Sequence, residues 1–219
     1  MNLPMPVAVA VWVVVGLALL YLVLTGRRRL ASRTRAVVPV PPPVPAEVAA
    51  SLAGALTGGP VPVFGPVEAT YVSSTLHGDW LARVGAHQLG DRALARVSVL
   101  DSGVLVEREG TRDVWIPVGA IRSAQLAPGM AGKYVGADGL VVVSWAVSGD
   151  DAGEGSVLLD TGLRTRHATG RGGLVDAVRH LVAAGRAGAA TYDSSELQQD
   201  VRQYQAPSTT GGTHDDDDI

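Results

Sequence analysis

Residues 93–117 read ALARVSVLDSGVLVEREGTRDVWIP. Ala95, Val97 and Val99 fall on one face of this stretch, followed by Val104 and Val106 and then by Val114 and Ile116, each set interleaved with other residues, many polar or charged. A period of two sends successive side chains to opposite faces of a strand, so one face of each run is core and the other is wet. Asp101-Ser102-Gly103 and Glu109-Gly110-Thr111 stand between the runs, and these residue types accept tight reversals. Three strands joined by short turns pair antiparallel.

The same grammar extends in both directions. Ala69–Leu76 precedes this block, and Ile121–Leu126, Leu140–Val147 and Ser156–Leu163 follow it; with Ala93–Leu100, Gly103–Glu109 and Asp113–Pro117 they predict seven strands. Leu140–Val147 is apolar almost throughout, so it must be covered on both sides. Beyond the strands, Leu174, Val175, Val178, Leu181 and Val182 recur at helical spacing, with Asp176, Arg179 and His180 on the other side. That pattern predicts one amphipathic helix ending near Gly185. Trp80, Leu81 and Val84, between the first two strands, predict a short helical turn that is either packed core or an exposed partner site. The expected fold is mainly β: a seven-stranded antiparallel barrel or sandwich over residues 67–185, capped by a C-terminal helix.

The N-terminus has a different chemistry. From Val7 to Leu24 the chain carries no charge, and Arg27, Arg28, Arg29, Arg33 and Arg35 follow. A bilayer core needs about 20 mostly apolar residues to be crossed as a helix, which residues 3–25 supply. A secretory signal would place its cations before the apolar run; here they follow it, which predicts an uncleaved single-pass anchor with the N-terminus outside and the rest of the chain cytoplasmic. Arg27, Arg28 and Arg29 would meet anionic lipid there.

Residues 26–66 form a basic juxtamembrane stretch and a linker that contains Pro39, Pro41, Pro42, Pro43, Pro45, Pro60, Pro62 and Pro66. Such proline density predicts a semi-rigid, extended spacer, interrupted by a short helix within Ala46–Leu56. Residues 186–219 are predicted to be a disordered acidic tail ending in Asp215–Asp218; contiguous carboxylates lack the spacing of a calcium loop.

Composition limits the chemistry. The chain has no cysteine and a net charge of -3, which excludes disulfides and thiol catalysis and argues against nucleic acid as a partner. Gly132-Lys133 departs from a phosphate loop, because Ala127 replaces the required glycine and Tyr134 the required hydroxyl. The histidines His77, His87, His167, His180 and His214 are scattered, so no catalytic or metal set is expected, no cofactor is expected, and the chain is read as a non-enzyme. The candidate ligand contacts are Lys133, in the loop Pro128–Asp138, and Arg164, Arg166 and Arg171, which with His167 would gather an anion near the start of the C-terminal helix.

Seven antiparallel strands followed by one helix resemble pleckstrin-homology-like (PH-like) domains. Gly129-Met130-Ala131-Gly132-Lys133 and Leu159-Asp160-Thr161-Gly162, behind one N-terminal span, are similar to a family of small actinobacterial membrane proteins that carry such a domain. The resemblance implies a bacterial membrane protein and at most an association with pyrimidine biosynthesis; it implies no catalytic residue. The function expected is a membrane-tethered, non-catalytic protein-interaction or scaffolding module with an unidentified protein partner, and the alternative is an accessory subunit of a membrane transport system.

Overall fold

The structure is a computed structural model and describes residues 5–54, 56–149 and 155–204. Seven strands form one antiparallel sheet: β1 (Phe64–Leu76), β2 (Ala93–Leu100), β3 (Gly103–Arg108), β4 (Val114–Pro117), β5 (Ile121–Ala127), β8 (Leu140–Val147) and β9 (Val157–Thr165). Their order is β4-β3-β2-β1-β9-β8-β5. The two short strands β6 (Gly129–Met130) and β7 (Lys133–Tyr134) make a separate hairpin within the segment predicted to be a loop. The sheet's outermost strands, β4 and β5, are joined by only the 3-10 turn Val118–Ala120, so the two edges must approach one another and the sheet must curl.

The main core fills one face of that sheet. The alternating residues Val97, Val99, Val104, Val106, Val114 and Ile116 all lie in it, together with Val141, Val143, Trp145, Leu159 and Leu163. The helix α3 (Thr169–Tyr204) contributes the expected stripe, Leu174, Val175, Val178, Leu181 and Val182. Seven strands and a following helix are therefore present as the sequence predicts. The helix is longer than predicted, continuing beyond Gly185 to Tyr204. The chain divides after Val182 into two compact units, and within the described part of the second the helix is the sole element; Asp215–Asp218 lie outside the described residues.

β8 is buried at every position, as its apolar sequence requires. Val141, Val143, Trp145 and Val147 face the main core. Leu140 and Val142 face the other way, where Val72 and Met130 join them, with Ala127, Ala131 and Val135 packed around. The β6–β7 hairpin is thus the second cover that an apolar strand needs.

The segment predicted to be a free spacer is instead packed on the domain. Helix α1 (Met5–Arg35) runs well past the apolar stretch, and Val38 just beyond it is buried in the main core. Helix α2 (Ala46–Leu52) brings Val48 against Leu100, Leu105 and Trp115, flanked by Val44 and Leu52. Ser51 Oγ donates to Pro60 O at 2.8 Å, and Val63 N donates to Val99 O at 2.8 Å, which leads the chain into β1. The physical reason is the valines and leucine set among the prolines: they find apolar partners on the outer face of β2–β4, and burial there outweighs the stiffness that proline gives a free chain. Residues 36–54 and 56–63 act as a strap.

No helix forms at Trp80–Val84. Asp79 Oδ1 accepts the backbone N–H groups of Leu81 and Ala82 at 3.0 and 3.1 Å, a local side-chain turn that competes with helix. Val84 is buried, whereas Trp80 and Leu81 are exposed. α1 contains Val9–Gly26, the one window among the described residues long and apolar enough to cross a membrane, and none of it is buried; a signal sequence has the same length and composition.

Candidate functional site

Across the outer face near one end of the sheet, neighbouring strands align their charges. Glu107 pairs in register with Arg96, and Arg96 with Glu68. Arg166 closes the row: its backbone N–H donates to Glu68 O, and its Nη1 lies 2.8 Å from Glu68 Oε2. Arg96 Nη2 lies 3.3 Å from Glu107 Oε1. Arg164 sits on β9 opposite Thr70, one strand position from this row, and its side chain points into the same cleft of about 820 Å³, which Glu109 and Asp113 also line. Acidic and basic groups are balanced there, and the ion pairs are well exposed, so each contributes at most about 1 kcal/mol. Such a surface does not concentrate phosphate; it suits a partner with charges of both signs.

The four predicted contacts separate. Arg164 and Arg166 share the cleft. Arg171 donates from Nη1 to Asp138 O at 2.6 Å, which ties the first turn of α3 to the β7–β8 connection. Lys133 stands exposed on the hairpin. His167 does not join a cluster with them; its carbonyl accepts a bond from Thr165 Oγ1 at 2.8 Å.

Two constellations were not predicted. In the first, Asp160 Oδ1 accepts from Ser144 Oγ at 2.6 Å and contacts His77 Nδ1 at 2.9 Å. The carboxylate stands between the hydroxyl and the imidazole, so the imidazole cannot take the hydroxyl's proton and the set lacks the order of a nucleophilic triad. Among the described residues there is no group of three potential metal ligands.

The second is a buried polar line. Tyr71 Oη donates to Leu89 O at 2.8 Å, and a phenol has one proton, so at the 2.7 Å contact with Ser74 Oγ the serine donates. Ser74 in turn accepts from Thr161 Oγ1 at 2.7 Å, which accepts from Trp145 Nε1 at 2.9 Å. Arg108 lies over the Tyr71 ring, 4.4 Å from its centroid. Its guanidinium donates to Gln88 O at 2.8 Å and to Arg112 O from both Nε and Nη2. Burial raises the Tyr71 pKa to about 12, and burial lowers that of Arg108. Sequence carried a signal here: Val104, Val106 and Arg108 share the parity of the core face, so Arg108 had to find buried partners.

A curled antiparallel sheet with a C-terminal helix in its core defines the PH-like class, whose domains are generally non-catalytic modules that bind protein or lipid. A family model described as bacterial PH domain-like matches residues 38–179, more than half of the chain, and the chain belongs to that family. The match begins at Val38, the residue with which the strap enters the core. No curated protein matches the chain in a sequence search.

Proposed function

We propose that this chain is a single-pass membrane protein whose PH-like domain is a cytoplasmic protein-interaction or scaffolding module that performs no chemistry itself. The observation that carries this reading is the continuity between anchor and domain. α1 contains the apolar window Val9–Gly26 and continues as one helix to Arg35, where Thr34 Oγ1 accepts a hydrogen bond from Gly85 N at 3.1 Å. His87 Nε2 lies 3.0 Å from Val38 O. A module bonded to the end of its own anchor is built to act at that membrane. The arginines after the window support a cytoplasmic domain, since translocating several cations is disfavoured.

The functional module is accordingly taken to start at the strap, near residue 36, rather than at residue 67. Its partner-facing surface is the cleft of Arg164 and Arg166, where the row of mixed charges suits a polar protein segment. Arg171 and Lys133 are assigned structural and membrane-side roles instead.

Fusion reporters test the topology: a C-terminal alkaline phosphatase fusion should be inactive and a C-terminal fluorescent-protein fusion bright, and the reverse pair would overturn the orientation. For the partner, gentle-detergent capture with wild type and with the Arg164→Glu, Arg166→Glu double variant is the decisive pair. A soluble protein lost only with the variant supports the cleft; a polytopic transporter retained by both would replace this reading with a transport subunit.

A further inference from the structure

The loop His77–Arg92 joins β1 to β2, and the hairpin β6–β7 lies against it. Ala131 N donates to Trp80 O at 2.7 Å, and Gly132 approaches Leu81 Cδ2, which a side chain at that glycine would meet at 3.8 Å. Two segments distant in sequence thereby present one tip. Its largest side chains point outward: Trp80 is 54 % exposed, Leu81 60 % and Tyr134 75 %. A tryptophan, a tyrosine and a leucine held in solvent on bonded turns are not explained by packing, and such clusters mark interaction surfaces.

The chemistry of the tip matches a bilayer interface. Tryptophan and tyrosine partition to the headgroup level, where the ring is sheltered and the polar atom stays wet. Lys133 is next to Tyr134 in β7, and both are exposed; Arg83 follows the apolar pair in the loop. The acid of the same turn, Asp79, keeps its negative charge while it accepts from the N–H groups of Leu81 and Ala82, so Lys133 and Arg83 leave the tip with a cationic excess of one.

Position supports the same occupant. The β1–β2 loop that carries Trp80 also carries Gly85, which is bonded to Thr34. Thr34 is eight residues beyond Gly26, the end of the apolar window, roughly 12 Å along a helix. Gly85 is thus held close to the headgroup layer, and Leu81, four residues away, is within about 14 Å of extended chain. We propose that Trp80, Leu81, Tyr134 and Lys133 form a second membrane contact, seated in the anionic leaflet that α1 crosses, so that anchor and tip together fix the domain's orientation on the bilayer. This rests on the membrane-anchor reading above.

The absence of cysteine gives a direct test. Full-length Leu81→Cys, Tyr134→Cys, Leu94→Cys and Leu17→Cys, each labelled with an environment-sensitive fluorophore, are placed in nanodiscs of phosphatidylcholine and phosphatidylglycerol in equal parts, with and without a headgroup-region spin-label quencher. Leu94 is an exposed residue of the cleft and Leu17 lies in the apolar window. Probes at 81 and 134 should shift to the blue and be quenched several-fold more than the probe at 94, and Lys133→Glu should reduce that quenching. A blue-shifted probe at 17 with probes 81 and 134 as wet as 94 overturns the second contact and leaves the anchor standing; that result would assign the tip to a protein. A wet probe at 17 overturns the anchor and the second contact with it. Equal quenching at 81 in pure phosphatidylcholine removes the role given to Lys133.

Discussion

The outer face of the sheet is covered twice, by segments of opposite origin. Over β8 the cover is the β6–β7 hairpin, which follows β5 directly in the chain and places Met130 on Leu140, Val142 and Val72. Over β2–β4 the cover is the strap, which precedes the whole sheet and places Val48 on Leu100, Leu105 and Trp115. The hairpin closes a short loop, so its ordering cost is small and local. The strap instead connects helix α1 to the first strand, and docking it fixes the domain relative to the end of that helix. The same physical act, hiding apolar residues on a strand's outer face, seals the fold in one half and couples it to helix α1 in the other.

The largest effect should come from the element whose stripe lies in the main core beneath both halves. Val178 is fully buried on α3, and Val178→Asp places an unpaired carboxylate in the core at a cost of several kcal/mol, comparable with the whole stability of a small domain. The full-length variant should show no cooperative thermal transition by circular dichroism. A melt unchanged from wild type would mean that the helix is dispensable and that the two halves stand without a common core.

Next come the covers themselves. Val48→Asp and Met130→Asp each bury a carboxylate under a segment that can peel away, so each cost is capped by the docking energy of its cover, about 2–3 kcal/mol. The two should differ in what they release. Val48→Asp should bare Trp115 and shift its emission to the red, while Met130→Asp should leave Trp115 unchanged. If Trp115 stays dry in the Val48 variant, the strap is not held by Val48 and the comparison fails on that side.

The difference between the covers also explains what the sequence made legible. The alternation over residues 93–117 and the stripe from Leu174 to Val182 are local patterns, and both elements formed as read. Leu140–Val147 announced its two covers by being apolar at every position but Ser144. The strap went unread because proline density dominates the local signal, although Leu105 and Trp115, apolar residues on the supposedly wet parity of β3 and β4, implied that something lay over them. The site was less legible. Arg164 and Arg166 do share a cleft, but Glu68, Arg96 and Glu107 reach it through strand register, which no short window contains. Trp80 and Tyr134 come to one tip only because the hairpin folds against the β1–β2 loop, and sequence left Trp80 open between core and surface.

Alkaline titration probes the strap side from within. A cavity of about 550 Å³ beneath Pro41–Pro43 is lined by His87, Leu89 and Arg108, and Arg108 lies over Tyr71. The Tyr71 pKa is raised from 10.0 to about 12, so the folded state holds its proton more tightly than the unfolded chain. Stability is therefore fully present below pH 10 and is lost as pH rises toward 12, by about 2–3 kcal/mol for a shift of that size. Tyr71→Phe should flatten this alkaline loss while costing about 1–2 kcal/mol at neutral pH, because Leu89 O and Ser74 lose a partner. Equal alkaline slopes in denaturant titrations of the two proteins would show that Tyr71 does not ionise from a buried state.

The smallest expected effect sharpens the hairpin side. A Cβ added at Gly162 would lie 2.7 Å from Met130 Sδ and 3.4 Å from Met130 Cε, so glycine there makes room for the hairpin's anchor. The obstacle is the far end of a flexible side chain, which can turn to another rotamer at a cost of about 1 kcal/mol. Gly162 is in the middle of β9 without a positive φ, so alanine also restricts the unfolded chain and returns about 0.4–1 kcal/mol. Gly162→Ala should consequently be close to neutral or destabilise by up to about 1 kcal/mol. In a Met130→Ala background the collision is gone, and the same substitution should stabilise the protein. That change of sign in a double-mutant cycle is the signature of a cover seated through Met130; two equal values would place the hairpin's hold on β8 in other residues, such as Val135.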